Sequence, residues 1–294
     1  DWILADRQIC DLELILNGGF EPLNGFLGKR DFESVINDFR LEDGTLWPIP
    51  ITLDVSIEFA ELLSNGDSIT LKDKEGFSLA IMEISDIWEP DRVKEATLVF
   101  GTNDDKHPGV NHLLNESNPI YIGGNLKCID LPHHYDYKNL RHSPKALKKK
   151  FQEMGWNKIV AFQTRNPLHR AHVEMTLKAI KELDANLLIH PVVGMTKPGD
   201  VDHYTRVRCY NHVLDRYPDN SAILSLLPLA MRMGGPREAL LHAIIRKNYG
   251  CTHLIVGRDH AGPGKDKNGK PFYGPYDAQN MIEKYKDEIG IQMV

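Results

Sequence analysis

The 294-residue chain lacks the features that mark several broad protein classes. Its four cysteines, Cys10, Cys128, Cys209 and Cys251, stand far apart and form no C-x-x-C pair. That excludes a disulfide scaffold and argues against a zinc ribbon or a thioredoxin motif, leaving reduced thiols of a cytosolic protein as the plain reading. No apolar run approaches the roughly 18 residues of a membrane-spanning helix. There is no internal repeat and no low-complexity tract, and the 41% apolar and 26% charged residues are ordinary for globular domains, so collagen and disorder are excluded. Neither G-x-G-x-x-G nor G-x-x-x-x-G-K-[ST] occurs, which disfavours a standard dinucleotide enzyme and a P-loop kinase. No signal peptide is visible. The chain starts at Asp1 without Met and stops at Val294 without a polar tail, as expected of a piece clipped at both ends.

What is present is unevenly spread. At roughly 100–200 residues per domain the length suggests two domains. The Pro/His/Tyr-rich stretch 131–137 offers a boundary, giving 1–135 and 136–294. The first part carries 10 Lys/Arg against 25 Asp/Glu, a net −15; the second carries 25 against 16, a net +9, and nine of the 13 histidines. A cationic second part is suited to an anionic ligand. Mutual attraction of the two parts, or of a partner subunit, would give the same asymmetry. The acidic first part argues against a long nucleic-acid footprint.

In the first part the pattern predicts helices over 8–16, stopped by Asn17-Gly18-Gly19, and over 31–39. Strands are expected over 49–55, 68–72, 77–87 and 119–131, the last broken by Gly123-Gly124. This reads as an α+β or small-barrel domain with no catalytic cluster. In the second part Ser143-Pro144 opens a helix to residue 154, whose lysines form a solvated face. Strands over 158–163, 187–193, 222–227 and 253–256 then alternate with helices over 169–183, 203–217 and 237–249, with a further helix over 277–288. Short apolar runs alternating with amphipathic helices mean an α/β, doubly wound parallel sheet.

Open parallel sheets bind ligands beyond the C-terminal ends of their strands. Here those ends are polar: residues 163–172, 194–200, 229–235 and 257–264, three of them carrying Arg (Arg165, Arg232, Arg258) and one Lys (Lys197). His169 and His172 share one face of a first helical turn, where free backbone N–H groups and the positive dipole end favour a phosphate. The H-x-x-H spacing argues against zinc, and a structural hydrogen bond for one histidine stays open. Arg165 and Arg258 suit a tetrahedral oxyanion, with Gln163 as a neutral donor. The glycine-rich 257–264 turn lets backbone N–H groups approach a ligand, or is only a tight connection.

The segment Gln163-Thr164-Arg165-Asn166-Pro167-Leu168-His169-Arg170-Ala171-His172 resembles the Q-x-R-N-P-x-H-x-x-H motif of the ATP sulfurylase (sulfate adenylyltransferase) family. Gly257-Arg258-Asp259-His260-Ala261-Gly262 resembles its G-R-D-H-A-G motif. Thr164 and His260 match the fungal and bacterial type, and the resemblance covers nearly the whole chain.

The resemblance implies a PUA-like β-barrel domain followed by a Rossmann-like nucleotidyltransferase domain. It implies that sulfate attacks the α-phosphorus of ATP, with Mg2+ carried by the nucleotide, to give adenosine 5′-phosphosulfate and pyrophosphate. By position, Gln163, Arg165 and the Ala261 N–H would bind sulfate. Gln163, Thr164, Arg165, Asn166, Gly257, Arg258, Asp259 and His260 would contact ATP. Thr164, Arg165 and Asn166 would be catalytic, and His169 and His172 would grip phosphate oxygens. The 196–206 loop resembles a segment that closes over the site. A homo-oligomer, an adenylylsulfate kinase fused or separate, a cytoplasmic setting and no nucleic-acid or membrane partner complete the expectation. The family continues beyond this point with a further strand and a small subdomain. The alternatives are an H-x-x-H nucleotidyltransferase with another acceptor and a non-catalytic nucleotide-binding module.

Overall fold

A computed structural model describes residues 1–197 and 199–294 of the chain. In order, the elements are β1 (Trp2–Ile3), α1 (Asp6–Leu16), β2 (Gly25–Phe26), α2 (Lys29–Asp38), β3 (Leu53–Val55), α3 (Ile57–Ala60), β4 (Ser68–Lys72), β5 (Ser78–Trp88), α4 (Arg92–Phe100), α5 (Pro108–Asn111) and β6 (Ile120–Cys128). They continue with α6 (Pro144–Glu153), β7 (Ile159–Phe162), α7 (Arg170–Leu183), β8 (Asn186–Ile189), α8 (His203–Leu214), β9 (Ala222–Leu224), α9 (Gly235–Asn248), β10 (His253–Leu254), α10 (Asp277–Ile289) and β11 (Gln292–Met293). No helix among the described residues is long and apolar enough to cross a membrane.

The first sheet has the order β1-β4-β5-β6-β2, with β3 also paired to β6. β1 runs parallel to β4, and the other pairs are antiparallel. The expected break at Gly123-Gly124 does not occur, because β6 runs unbroken through both. The glycines are there because the strand is crowded from both sides. A Cβ on Gly123 would collide with the Leu27 carbonyl, and one on Gly124 with the Glu83 carbonyl. The β5 register shifts between Ile84 and Asp86, opposite this pair, so the glycines fit a bulge rather than end a strand. Of the strand expected over 49–55 only β3 forms. Helix α4 was not foreseen, although Asp91 caps it by accepting from Lys94 N–H (2.9 Å) and Gly101 ends it in the left-handed region.

The second sheet is wholly parallel in the order β11-β10-β7-β8-β9. From β7 the chain winds outward through β8 and β9, then returns to β10 and β11 on the other side. The direction therefore switches between β7 and β10, and in such sheets the crevice beyond that switch is the ligand site. Every residue of β7 is buried, as the continuous apolar run Ile159-Val160-Ala161-Phe162 requires of a strand covered on both faces. α6 starts as expected, with the Ser143 hydroxyl accepting from Ala146 N–H (3.3 Å). It buries Leu147 and Phe151 and turns Lys145, Lys148 and Lys149 to solvent.

The expectation of an amphipathic α9 is corrected. The helix is buried on every side, from Gly235 to Arg246 apart from Pro236. It lies between the second sheet and the N-terminal part, so it has no solvent face. Arg237 donates to the carbonyls of Val35 (3.3 Å), Ile36 (2.8 Å) and Pro48 (3.1 Å), while Arg246 donates to the His190 carbonyl (3.2 Å). One apolar core runs through both parts, from Leu12, Leu53 and Ile69 to Leu240, Ile245 and Leu254.

Candidate functional site

A cavity of about 410 Å³ opens at the switch between β7 and β10. Its walls are Gln163, Thr164, Arg165 and Asn166 after β7, and the 257–262 turn after β10; Met175 and Met231 add apolar surface. A larger cleft of about 810 Å³ lies in the N-terminal part, but its charged lining is mostly acidic: Asp31, Glu42, Asp43 and Asp86 against Arg30. Like charge repels an anionic ligand, so chemistry rather than size selects the first cavity.

The turn after β7 is held by its own side chains. The Thr164 hydroxyl accepts from Asn166 N–H (3.0 Å) and donates to the Asn166 carbonyl (2.9 Å), which also accepts from Tyr210 Oη (2.9 Å). Thr164 thus spends its hydrogen inside the turn, while the Asn166 side chain stands exposed. Arg165 pairs with Asp200, both largely sheltered. Asp200 also accepts from Lys197 N–H (3.1 Å), and Lys197 Nζ donates to the Pro263 carbonyl (2.9 Å). The segment after β8 therefore ties the two rim turns together. Within the expected closing loop 196–206, Pro198 lies outside the described residues.

His169 is the N-cap of α7 and is exposed; it does not line the cavity, whereas His172 does. His172 Nδ1 accepts from His169 N–H at 3.1 Å, which leaves the proton on Nε2. Burial, followed by the neighbouring His169, holds His172 below the usual imidazole range. At neutral pH it is an uncharged donor.

In the turn after β10, Asp259 and Ala261 both adopt positive φ, 56° and 55°. Such conformations cost about 1–2 kcal/mol for a residue with a Cβ, and they expose backbone amides. The Ala261 carbonyl accepts from Gly235 N–H (3.1 Å), and the Ala261 N–H has no partner among the described residues. Arg258 is exposed, with its guanidinium 5.4 Å from the Tyr276 ring centre and no ion pair among the described residues.

One expectation is corrected here. Arg232 does not join the rim. It turns inward, donates to Asp11 (2.6 Å) and to the Ala230 carbonyl (2.8 Å), and is 9% exposed, so its loop supplies Met231 instead. His260 lines the cavity but faces inward too, its Nε2 3.0 Å from His242 Nδ1. Burial, then the nearby His242 and Arg246, push His260 down to about 3, so it carries no charge for a phosphate. The sequence reading missed His242 and Glu238 behind the cavity. Their i,i+4 spacing on a helix beginning at the cavity rim was the available signal. Among the described residues no group of three His, Cys, Asp or Glu side chains could hold a metal.

Residues 138–294 match the ATP-sulfurylase family model, and residues 1–131 match a PUA-like domain. The chain is 57% identical over 295 residues to a sulfate adenylyltransferase of Phaeosphaeria nodorum, covering 99% of this chain and 51% of that protein. It is 55% identical over 293 residues to that of Saccharomyces cerevisiae, covering 100% and 57%. A solved structure described as a hexameric APS kinase from Thiobacillus denitrificans superposes with a TM-score of 0.78 at 30% identity, covering all of this chain and 50% of that one. The chain spans about half the length of the curated relatives it matches. With a PUA-like part before a Rossmann-like part, and with both motifs facing one cavity, the chain belongs to the ATP-sulfurylase family.

Proposed function

We propose that this chain catalyses adenylyl transfer from MgATP to sulfate, giving adenosine 5′-phosphosulfate and pyrophosphate. The observation that carries the reading is the meeting of Gln163, Arg165, Arg258 and the Ala261 N–H, unpaired among the described residues, around one cavity at the sheet's switch point. These are donors without a basic nucleophile among them. A sulfate oxygen needs no deprotonation, so the site has only to hold two anions in line and stabilise charge growing on the α-phosphate. A sulfate oxygen forms a bond to the α-phosphorus as the bond from that phosphorus to the bridging oxygen breaks; pyrophosphate leaves with both electrons.

In this proposal Gln163, Arg165 and Ala261 bind sulfate, and Thr164, Arg165 and Asn166 are catalytic. Arg165 exchanges its Asp200 partner for substrate oxygens, and Thr164 shapes the turn that presents Asn166. His172 donates its Nε2–H to a phosphate oxygen, and the exposed His169 reaches the leaving pyrophosphate only if it rotates inward. Gly257, Arg258, Asp259 and His260 lie along the nucleotide, His260 as a neutral wall. Mg2+ is the ion proposed to accompany ATP. We further propose a division after Tyr135, supported by the two family matches ending at residue 131 and starting at residue 138. A homo-oligomer, a kinase acting on the product and a cytoplasmic setting are proposals too. The hexameric APS kinase neighbour supports the first two.

The test is pyrophosphate release from MgATP with and without sulfate. Sulfate-dependent release is expected, with chlorate, perchlorate or thiosulfate competing against sulfate. Release that needs an organic phosphate instead, or none at all, overturns the proposal.

A further inference from the structure

Behind Gln163 lies a buried chain of polar groups that the reaction itself does not use. His242, fully buried on α9, has Nδ1 3.0 Å from His260 Nε2 and Nε2 3.6 Å from Glu238 Oε1. Glu238 accepts from the N–H groups of Arg232 (2.8 Å) and Gly234 (3.0 Å). Burial pushes its carboxyl up, but His242, Arg232 and these backbone donors bring it below its ordinary value. It is a carboxylate, an acceptor only. The His242 nitrogen facing it must carry the hydrogen, since a lone pair there would face negative charge. His242 Nδ1 is then the acceptor and His260 Nε2 the donor, which a neutral pair satisfies.

Gln163 completes the chain. Its Nε2 lies 3.4 Å from His242 Nε2, and its Oε1 is buried with no partner among the described residues. That arrangement sets two donors face to face and orphans an acceptor, a combination buried groups avoid. A half-turn of the amide exchanges the two ends. Oε1 then shares the single His242 Nε2–H with Glu238, and the NH2 points to the side left without a partner among the described residues, beside the cavity that Gln163 lines.

We propose that His242 is a specificity-determining positioning residue, locking the Gln163 amide so that only its NH2 meets the bound oxyanion. The inference rests on the oxyanion reading of this cavity. Sulfate at neutral pH is a dianion that only accepts hydrogen bonds. Orthophosphate at the same pH keeps at least one O–H, which needs an acceptor. Arg165, the Ala261 N–H and a locked Gln163 NH2 are all donors, so the phosphate O–H finds no acceptor among the three groups proposed to hold the anion. An amide free to turn would offer Oε1 and admit phosphate. The same logic lets a site reject an analogue of equal size and charge whose donors find no acceptor.

The experiment measures binding of inorganic sulfate, selenate and orthophosphate to the whole chain in the presence of nucleotide. Wild type should bind the two acceptor-only anions and reject phosphate. His242→Leu should lose about tenfold or more of that discrimination, by weaker sulfate binding and new phosphate binding together. His242→Gln, which can still donate to Gln163, should restore it, and ATP binding should stay the same in all three. A folded Leu variant that still rejects phosphate overturns the proposal. So does an imidazole 15N spectrum of wild type showing the His242 proton on Nδ1, a result that needs no variant to fold. Wild type binding neither sulfate nor selenate would overturn the oxyanion reading itself, and this inference with it.

Discussion

Asp11 and Arg232 lie 221 residues apart in sequence and 2.6 Å apart in space, both almost wholly buried. The pair joins the first helix of the N-terminal part to the loop after β9, and it explains why that loop brings an apolar Met231 rather than a cation to the cavity. Arg232 N–H also bonds Glu238, so the pair anchors the start of α9. Removing one partner of a buried pair strands the other charge, at about 3–5 kcal/mol. Asp11→Ala should therefore lower the urea midpoint by a corresponding amount. Unfolding at the wild-type urea concentration would show that the pair does not join the two parts energetically.

In the proposed mechanism Arg165 is the cation that touches both reactants. Arg165→Ala should reduce sulfate-dependent pyrophosphate release by about 10²–10³-fold, as for loss of one donor aimed at developing charge. ATP should still raise the variant's melting temperature, because Arg258, His172 and the turn amides remain. Turnover near the wild-type rate would remove Arg165 from the proposed mechanism.

The parts of the fold that were legible in the sequence are those whose determinants are local. α1, α2, β4 and α6 stand where glycine stops, caps and alternation put them, and the βα rhythm announced the parallel sheet. The motif residues of the 163–166 and 257–262 turns meet as expected. What failed depends on partners distant in sequence. The all-round burial of α9 comes from its place between two layers, which no helical period encodes. Arg232 reads as a rim cation until Asp11 is seen beside it. The same applies to Gly123-Gly124, read as a break because the approaching carbonyls, of Leu27 and Glu83, come from segments distant in sequence.

Gly124 offers a direct check on that last correction. A methyl group there would meet the Glu83 carbonyl, which is backbone and cannot rotate away. Gly124→Ala should destabilise the protein by about 1–3 kcal/mol, the usual range for overpacking. If Gly124 only ended a strand, alanine would be neutral or mildly stabilising. Urea denaturation followed by tryptophan fluorescence, with Trp88 on the same sheet, separates the two.

Acid should weaken the protein through histidines that stay neutral when folded. Burial holds His107 down to about 4 and His260 down to about 3, and drives His190 well below the ordinary range. Their unfolded counterparts protonate near pH 6.5. Between that pH and the folded values, the unfolded state binds more protons, so stability falls as pH falls. Each unmatched group contributes about 1.4 kcal/mol per pH unit across its window. Glu95 acts in the opposite sense: burial raises it to about 7, so between pH 4.5 and 7 the folded state holds an extra proton, and stability falls as pH rises through that range. The histidines outnumber it, and the net slope from pH 6.5 to 4.5 should favour unfolding on acidification. Glu95→Gln removes the opposing group and should make that slope steeper. Urea midpoints at pH 6.5, 5.5 and 4.5 for both proteins provide the measurement. A slope that is flat in wild type and unchanged in the variant would mean that these side chains are not neutral in the folded state.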